Sequence, residues 1–300
     1  DIVRSASHGH VGLSHRLADP DQGRAIIGKS LRHQRQEIEA RAQLLFLRQR
    51  RIAGDQRRGR ARQAGGESVT LTITDTHAII GLPSDRVGAL RQALADAPEG
   101  FRVMSAGETI EIYKETGLPR DVVARFGIRD MRGTHGIGHT RMATESAVTT
   151  LGAHPFSTGD DQCLVHNGSL SNHNNLRRDL ARRGIGFATE NDTEVAAAYL
   201  TARMAKGRDL GGALTDALGD LDGFFTFVVG TRTGFGVLRD PIACKPAIMA
   251  ETDRYVAFGS EYRALVGLPG IEAARIWEPE PAAVYFWDRD GPPGDAMLAA

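Results

Sequence analysis

The 300-residue chain is poor in cysteine: it has two, Cys163 and Cys244, far apart in sequence. Two thiols so placed exclude a disulfide framework, a zinc knuckle between them and a four-thiolate iron–sulfur cluster. Aromatic residues make up 6% of the chain, and no apolar run approaches the roughly 18 residues of a membrane span. Neither sign of charge prevails, with Lys plus Arg and Asp plus Glu at 37 each, so the whole-chain charge singles out no polyanionic partner. The opening residues lack the charged, apolar, small-residue order of a secretory signal. What is present, 41% hydrophobic and 25% charged residues, is an ordinary globular composition, and the expected location is the cytoplasm.

The chain divides into two parts by composition. Residues 1–67 are an atypical, Arg/Gln-rich segment with one short apolar cluster, Leu44 to Leu47, expected to be poorly packed. Its Arg-dense end suits phosphate, but no aromatics are interleaved for base stacking, so a nucleic-acid partner is not favoured. Residues 68–300 show regular patterning. "SVTLTIT" and "ETIEIYK" alternate as half-buried strands do, and "DRVGALRQALADA" carries Val87, Leu90, Leu94 and Ala97 at helical spacing. Further helices are expected over 119–127, near 172–183 after an N-cap at Ser171, near 192–205 and near 210–219. Strands follow in "GFFTFVVGT", "GFGVLRD", "PAIMAE", "RYVAFGS" and "AAVYFWD", with a short helix at Glu261 to Val266. Central helices flanked by strands predict an α+β fold with antiparallel sheets.

"CLVHNGSLSNHNNLRRDL" ends an apolar run in His-Asn-Gly. Asn-Gly is the commonest two-residue hairpin turn, because Gly supplies positive φ. An Asn amide beside a Gly N–H at a strand end is also a pair of donors for a developing oxyanion. Both readings stay open on these residues alone. His139, His154 and His166 lack the spacing and the neighbouring carboxylates of a metal site.

Four pieces occur in order: "HTRMATES" (139–146), "AHPF" (153–156), "HNGSLSNHNNLR" (166–177) and "ENDTEVAA" (190–197). Together they resemble the class II glutamine amidotransferases, N-terminal-nucleophile glutaminases that release ammonia from glutamine for a synthase. "LRDPIACKPAIMAETDRYVAFGSEYRAL" is most like the stand-alone glutaminase subunits of glutamate-synthase-like complexes, including the N-methylglutamate synthase type. The resemblance implies an αββα four-layer sandwich with two antiparallel sheets, glutamine as substrate and a synthase subunit as partner. It implies no cofactor or metal in this chain, any flavin or iron–sulfur cluster belonging to the partner.

The resemblance also assigns roles that the chemistry of glutamine supports. Arg141 offers a fork for the α-carboxylate, with Thr144 in support, and Asp192 accepts from the α-ammonium. Asn167 and the N–H of Gly168 hold the oxyanion, and His154 shapes the pocket wall. Taken singly, Arg141 also reads as an ion-pair residue and Asp192 as a helix-start charge.

One part of the pattern is missing. The nucleophile of this class is a cysteine whose free α-amino group serves as its base, and residue 1 here is Asp1. Two expectations follow. In one, favoured because all four motifs persist, the first 65 residues belong to another reading frame or start codon. In the other, the chain is a glutamine-binding or scaffold subunit without catalysis.

Overall fold

The computed structural model describes residues 10–13, 40–46, 69–95, 101–141, 148–289 and 297–298. Contacts group the chain into two units, Leu17–Tyr113 and a larger one made of Asp1–Arg16 with Lys114–Ala300. Residues 40–46 form a strand of the smaller unit.

In the smaller unit β2 (Ala40–Phe46) pairs antiparallel with both β4 (His77–Leu82) and β5 (Phe101–Gly107), and β3 (Thr70–Thr74) lies beyond β4. Helix α1 (Val87–Ala95) buries Leu90 among Ala78, Ile80 and Leu82, with Val87 and Leu94 beside it. The helical spacing of these residues therefore fits its core, on the four-stranded sheet of the smaller unit. The alternating stretch 108–114 is not a strand. Gly107, at φ 140°, turns the chain out of the ladder, and residues 101–107 pair with β2 instead.

The larger unit has two five-stranded sheets. One runs β14 (Met297–Leu298), β13 (Ala283–Asp288), β9 (Gly234–Arg239), β8 (Gly223–Thr231), β7 (Gln162–Leu170). The other runs β12 (Arg275–Trp277), β10 (Ile248–Glu251), β11 (Val256–Gly259), β1 (His10–Leu13), β6 (Gly136–His139). Among the described residues every strand pairing in these two sheets is antiparallel, in agreement with the α+β expectation. Between the sheets lie Val165, Val228, Phe235 and Val237 from the first and Met249 and Phe258 from the second. The other face of the first sheet carries α3 (His173–Arg182), α4 (Asp192–Met204) and α5 (Leu210–Asp220), packed on Leu164, Phe225, Phe227 and Leu238. The other face of the second sheet buries Ala250 and Ala257 against Leu265, Leu268 and Ile271. The helix expected at 261–266 is a single 3-10 turn, Tyr262–Ala264, and α2 (Pro119–Arg125) ends before Gly127 at φ 62° as its Pro and Gly imply.

Helix α4 explains the depth of this arrangement. Thr193 through Leu200 are buried in unbroken succession, and a helix buried on all sides must be central. Three consecutive alanines, Ala196 to Ala198, let its neighbours approach closely. Among the described residues no helix is long and apolar enough to cross a membrane.

Strand β7 does not turn at His-Asn-Gly. It continues to Leu170, and Gly168 at φ 145° lies opposite Phe225 inside the ladder. A Cβ at Gly168 would overlap the Phe224 carbonyl, and one at Gly223, at φ 141°, would overlap the Ser169 carbonyl. The glycines serve close strand approach, which overturns the hairpin-turn reading. Gly223→Ala is expected to destabilise the protein by about 2–4 kcal/mol through backbone strain and overlap, measured as a lower denaturant midpoint.

Candidate functional site

The site is built where β7 meets the N-terminus of α4. Asn191 caps that helix, its Oδ1 accepting from Thr193 N at 2.8 Å. Glu194 reaches backward instead of to its own cap, accepting from Ala188 N (2.7 Å), Thr189 N (2.8 Å) and Thr189 Oγ1 (2.7 Å). Arg177 of α3 donates to Thr189 O (2.6 Å) and Asn191 O (3.2 Å), so the 188–191 loop is held from two helices.

The Thr193 hydroxyl, 1% exposed, is the meeting point of the cluster. His154 Nε2 lies 2.8 Å from it and His166 Nδ1 3.1 Å. A hydroxyl donates one bond and accepts up to two, and Thr193 Oγ1 also stands as donor to Asp192 Oδ1 at 3.5 Å, so the role of each ring follows its tautomer. His154 stacks on His139 at 4.0 Å between ring centroids and sets its edge on Phe156. His166 sets its edge on Phe227 at 5.1 Å. Asp192 Oδ2 accepts from Leu170 N at 2.9 Å, and its Oδ1 stands 3.7 Å from His166 Nδ1. Side chains of all four sequence motifs thus join one contact network: His139, His154, His166, and Asp192 with Thr193.

The expected residues fare differently. Asp192 begins the helix and also ties down the end of β7, with about a fifth of its side chain still exposed. His154 faces Thr193 and His139. Arg141 is exposed and donates to Gly152 O at 3.4 Å. Asn167 is half-buried, and among the described residues its amide has no hydrogen-bond partner. Gly168 opposes Phe225. Thr144 lies outside the described residues. The sequence reading missed Thr193 and Glu194, although both stand inside "ENDTEVAA", because a Thr and a Glu in the first helical turn read as capping residues.

It also missed Lys114, hidden in the stretch taken for a strand. Its ammonium is buried above the Phe156 ring at 4.2 Å and donates to Leu151 O at 3.4 Å. Burial pulls it down to about 7, and the Glu194 carboxylate opposes that shift. Of the thiols, Cys163 is buried in β7 and pushed up to about 12 by burial, while Cys244 is exposed after β9. Among the described residues no group of three or more His, Cys, Asp or Glu side chains is placed to hold a metal ion.

A helix-covered antiparallel sheet with these four motifs joined at one helix N-terminus matches a known class. The glutamine amidotransferase domain family matches residues 139–267, and this chain belongs to that family, of class II. The glutamine amidotransferase-like protein GlxB of Rhizobium meliloti is 73% identical over 223 residues, 74% of this chain and 74% of that protein. A putative glutamine amidotransferase of Methanothermobacter thermautotrophicus is 37% identical over 168 residues, 55% of each. A solved structure of the allosteric regulatory enzyme of purine biosynthesis aligns with 57% of this chain and 37% of its own, at 25% identity and TM-score 0.49.

Thr193→Val keeps the shape and removes the shared hydroxyl, so the buried His166 ring and the half-buried His154 ring each lose a bond. It is expected to cost about 2–4 kcal/mol in chemical denaturation, with Thr193→Ser close to wild type. Lys114 gives a pH test. Its folded value lies below the ordinary 10.5, so the unfolded chain binds more protons between the two values and stability rises with pH across that window. The cost of burying the charged amine is full below pH 7 and gone above 10.5. Lys114→Met removes it, so the variant's advantage over wild type is expected to narrow by roughly 2–3 kcal/mol between pH 6 and pH 9.

Proposed function

We propose that the chain is a glutaminase subunit: it binds L-glutamine at the four-motif cluster, hydrolyses it to glutamate and delivers the ammonia to a partner synthase subunit of the glutamate-synthase-like kind. The observation that carries this reading is that side chains of all four motifs, His139, His154, His166 and Asp192 with Thr193, join one contact network at the start of α4. The order helix, sheet, sheet in the larger unit supports the αββα sandwich of N-terminal-nucleophile hydrolases.

Glutamine presents an α-carboxylate, an α-ammonium and an amide, and the roles divide accordingly. Arg141, with Thr144, takes the carboxylate in a two-bond fork. Asp192 takes the ammonium: with one oxygen on Leu170 N it keeps lone pairs for a second donor. The Asn167 amide and the Gly168 N–H take the negative charge that grows on the amide oxygen under attack, and the unpartnered state of Asn167 suits that task. His154 forms wall. The nucleophile of this class is a thiolate. Cys163 is ill suited to it, since burial keeps its thiol protonated at neutral pH. A second reading, a subunit that binds glutamine without turnover, draws on that same observation.

Calorimetry with L-glutamine, paired with an assay for released glutamate, separates the two. Binding with release supports the glutaminase, binding without release the second reading, and no binding overturns both. Where release is seen, Asn167→Ala is expected to lower it about 100-fold or more.

A further inference from the structure

The strand register carries a further residue of the proposed glutamine site, and the inference rests on that reading. Asn167 of β7 lies directly opposite Thr226 of β8, and Thr226 directly opposite Arg239 of β9. Opposed residues in a ladder share a face, and their Cβ atoms stand about 4.5–5.5 Å apart. The three side chains therefore form one row across the sheet. They share the face of Val165, Val228 and Val237, two residues away along each strand.

Each member of this row holds an unused polar group. Thr226 is 3% exposed and Arg239 7%, and among the described residues neither the Thr226 hydroxyl nor Arg239 Nε has a hydrogen-bond partner. The Asn167 amide is likewise without one among the described residues. Arg239 is nevertheless fixed, because its terminal nitrogens donate to Pro279 O (2.6 Å), Ala243 O (3.0 Å) and Lys245 O (3.4 Å). A buried hydroxyl left unpaired costs about 1–3 kcal/mol, so its persistence calls for a compensating use.

The chemistry of the row supplies one. An Asn amide has two ends, and only its NH2 end stabilises an oxyanion; presented the other way, its Oδ1 would repel the developing charge. Something must hold Oδ1, and the group opposite is a hydroxyl, able to donate one bond and accept another. We propose that Thr226 is a positioning residue: its hydroxyl accepts from Arg239 Nε and donates to Asn167 Oδ1, aiming Asn167 Nδ2 at the amide oxygen of bound glutamine. The cationic donor behind the hydroxyl polarises it and strengthens the forward bond. No proton changes owner in this relay, and the row closes when glutamine engages the amide.

A positioning role separates binding from stability in a way that an ordinary packing role does not. Thr226→Val removes a hydroxyl unsatisfied in the free protein, so the variant is expected to melt at the wild-type temperature or above it. Its affinity for L-glutamine in calorimetry is nonetheless expected to fall about tenfold, and Thr226→Ser to restore it. In an Asn167→Ala background the Thr226→Val change should weaken binding no further, since the amide it orients is gone. If Thr226→Val binds glutamine as wild type does, or weakens it equally with and without Asn167, the positioning role is overturned while the glutamine site stands. If Thr226→Val melts lower and Thr226→Ser does not rescue binding, the hydroxyl is a packing element and the proposal fails. Absence of glutamine binding by the wild-type protein removes the site and this role together.

Discussion

Successive residues of a strand must point to opposite faces, and in β7 this constraint sends His166 and Asn167 in opposite directions. His166 lies against Phe225 and Phe227 on the helix face and reaches Thr193. Asn167 shares the inter-sheet face with Val165. A strand used on both faces has to be gripped on both, and the structure does so with different chemistry. On the helix side a buried hydroxyl joins two imidazoles at the start of α4. On the sheet side a row of polar groups runs inward through Thr226 to an arginine pinned by three carbonyls. The unbroken ladder between β7 and β8 holds the two arrangements in register, and it passes through Gly168 because only a glycine lets the Phe224 carbonyl come so near.

The N-terminus of α4 concentrates its polar groups in three consecutive residues with separate tasks. Asp192 secures the end of β7, Thr193 joins the histidines, and Glu194 holds the backbone of the loop that precedes the helix. Both carboxylates also sit where the helix dipole favours negative charge. Beyond them the helix is buried as far as Leu200. Its position is therefore set by packing and its direction by the polar turn. Lys114 is drawn into the same region as a counter-charge to Glu194, at a desolvation cost that leaves it barely able to hold its proton at neutral pH.

What the sequence made legible follows from which signals are local. The helices at 119–125, 173–182, 192–204 and 210–220 stand where their periodic or capped patterns put them, except that the second starts after Asn172, which makes no side-chain cap bond, and not after Ser171. The strand 108–114 failed because alternation is a local signal and pairing is not: β5 and β2 meet through residues 101–107, and Gly107 ends the match. His-Asn-Gly failed as a turn for the reverse reason. Positive φ at a glycine marks a tight turn or a close backbone approach, and only the partner strand decides which. The site was legible as four motifs but not as a network, since the hydroxyl that joins them is on a residue whose ordinary use at that position is capping. Thr226 and Arg239 carried no signal at all, as their meaning comes from register across three strands.

The same alternation settles which way Cys163 faces. Cys163, Val165 and Asn167 are two residues apart in turn and share a face, so a thiol on the face of the proposed oxyanion donor is present in β7. It is nonetheless out of reach. Four residues of extended chain separate it from Asn167 by roughly 13 Å, whereas an attacking atom must stand about 3–3.5 Å from its carbon. Burial that lifts its ionisation to about 12 removes the thiolate as well. Two independent quantities, distance and charge state, thus exclude the same residue. Attack on an amide held by Asn167 and Gly168 requires a nucleophile carried by a different element from the strand that holds them.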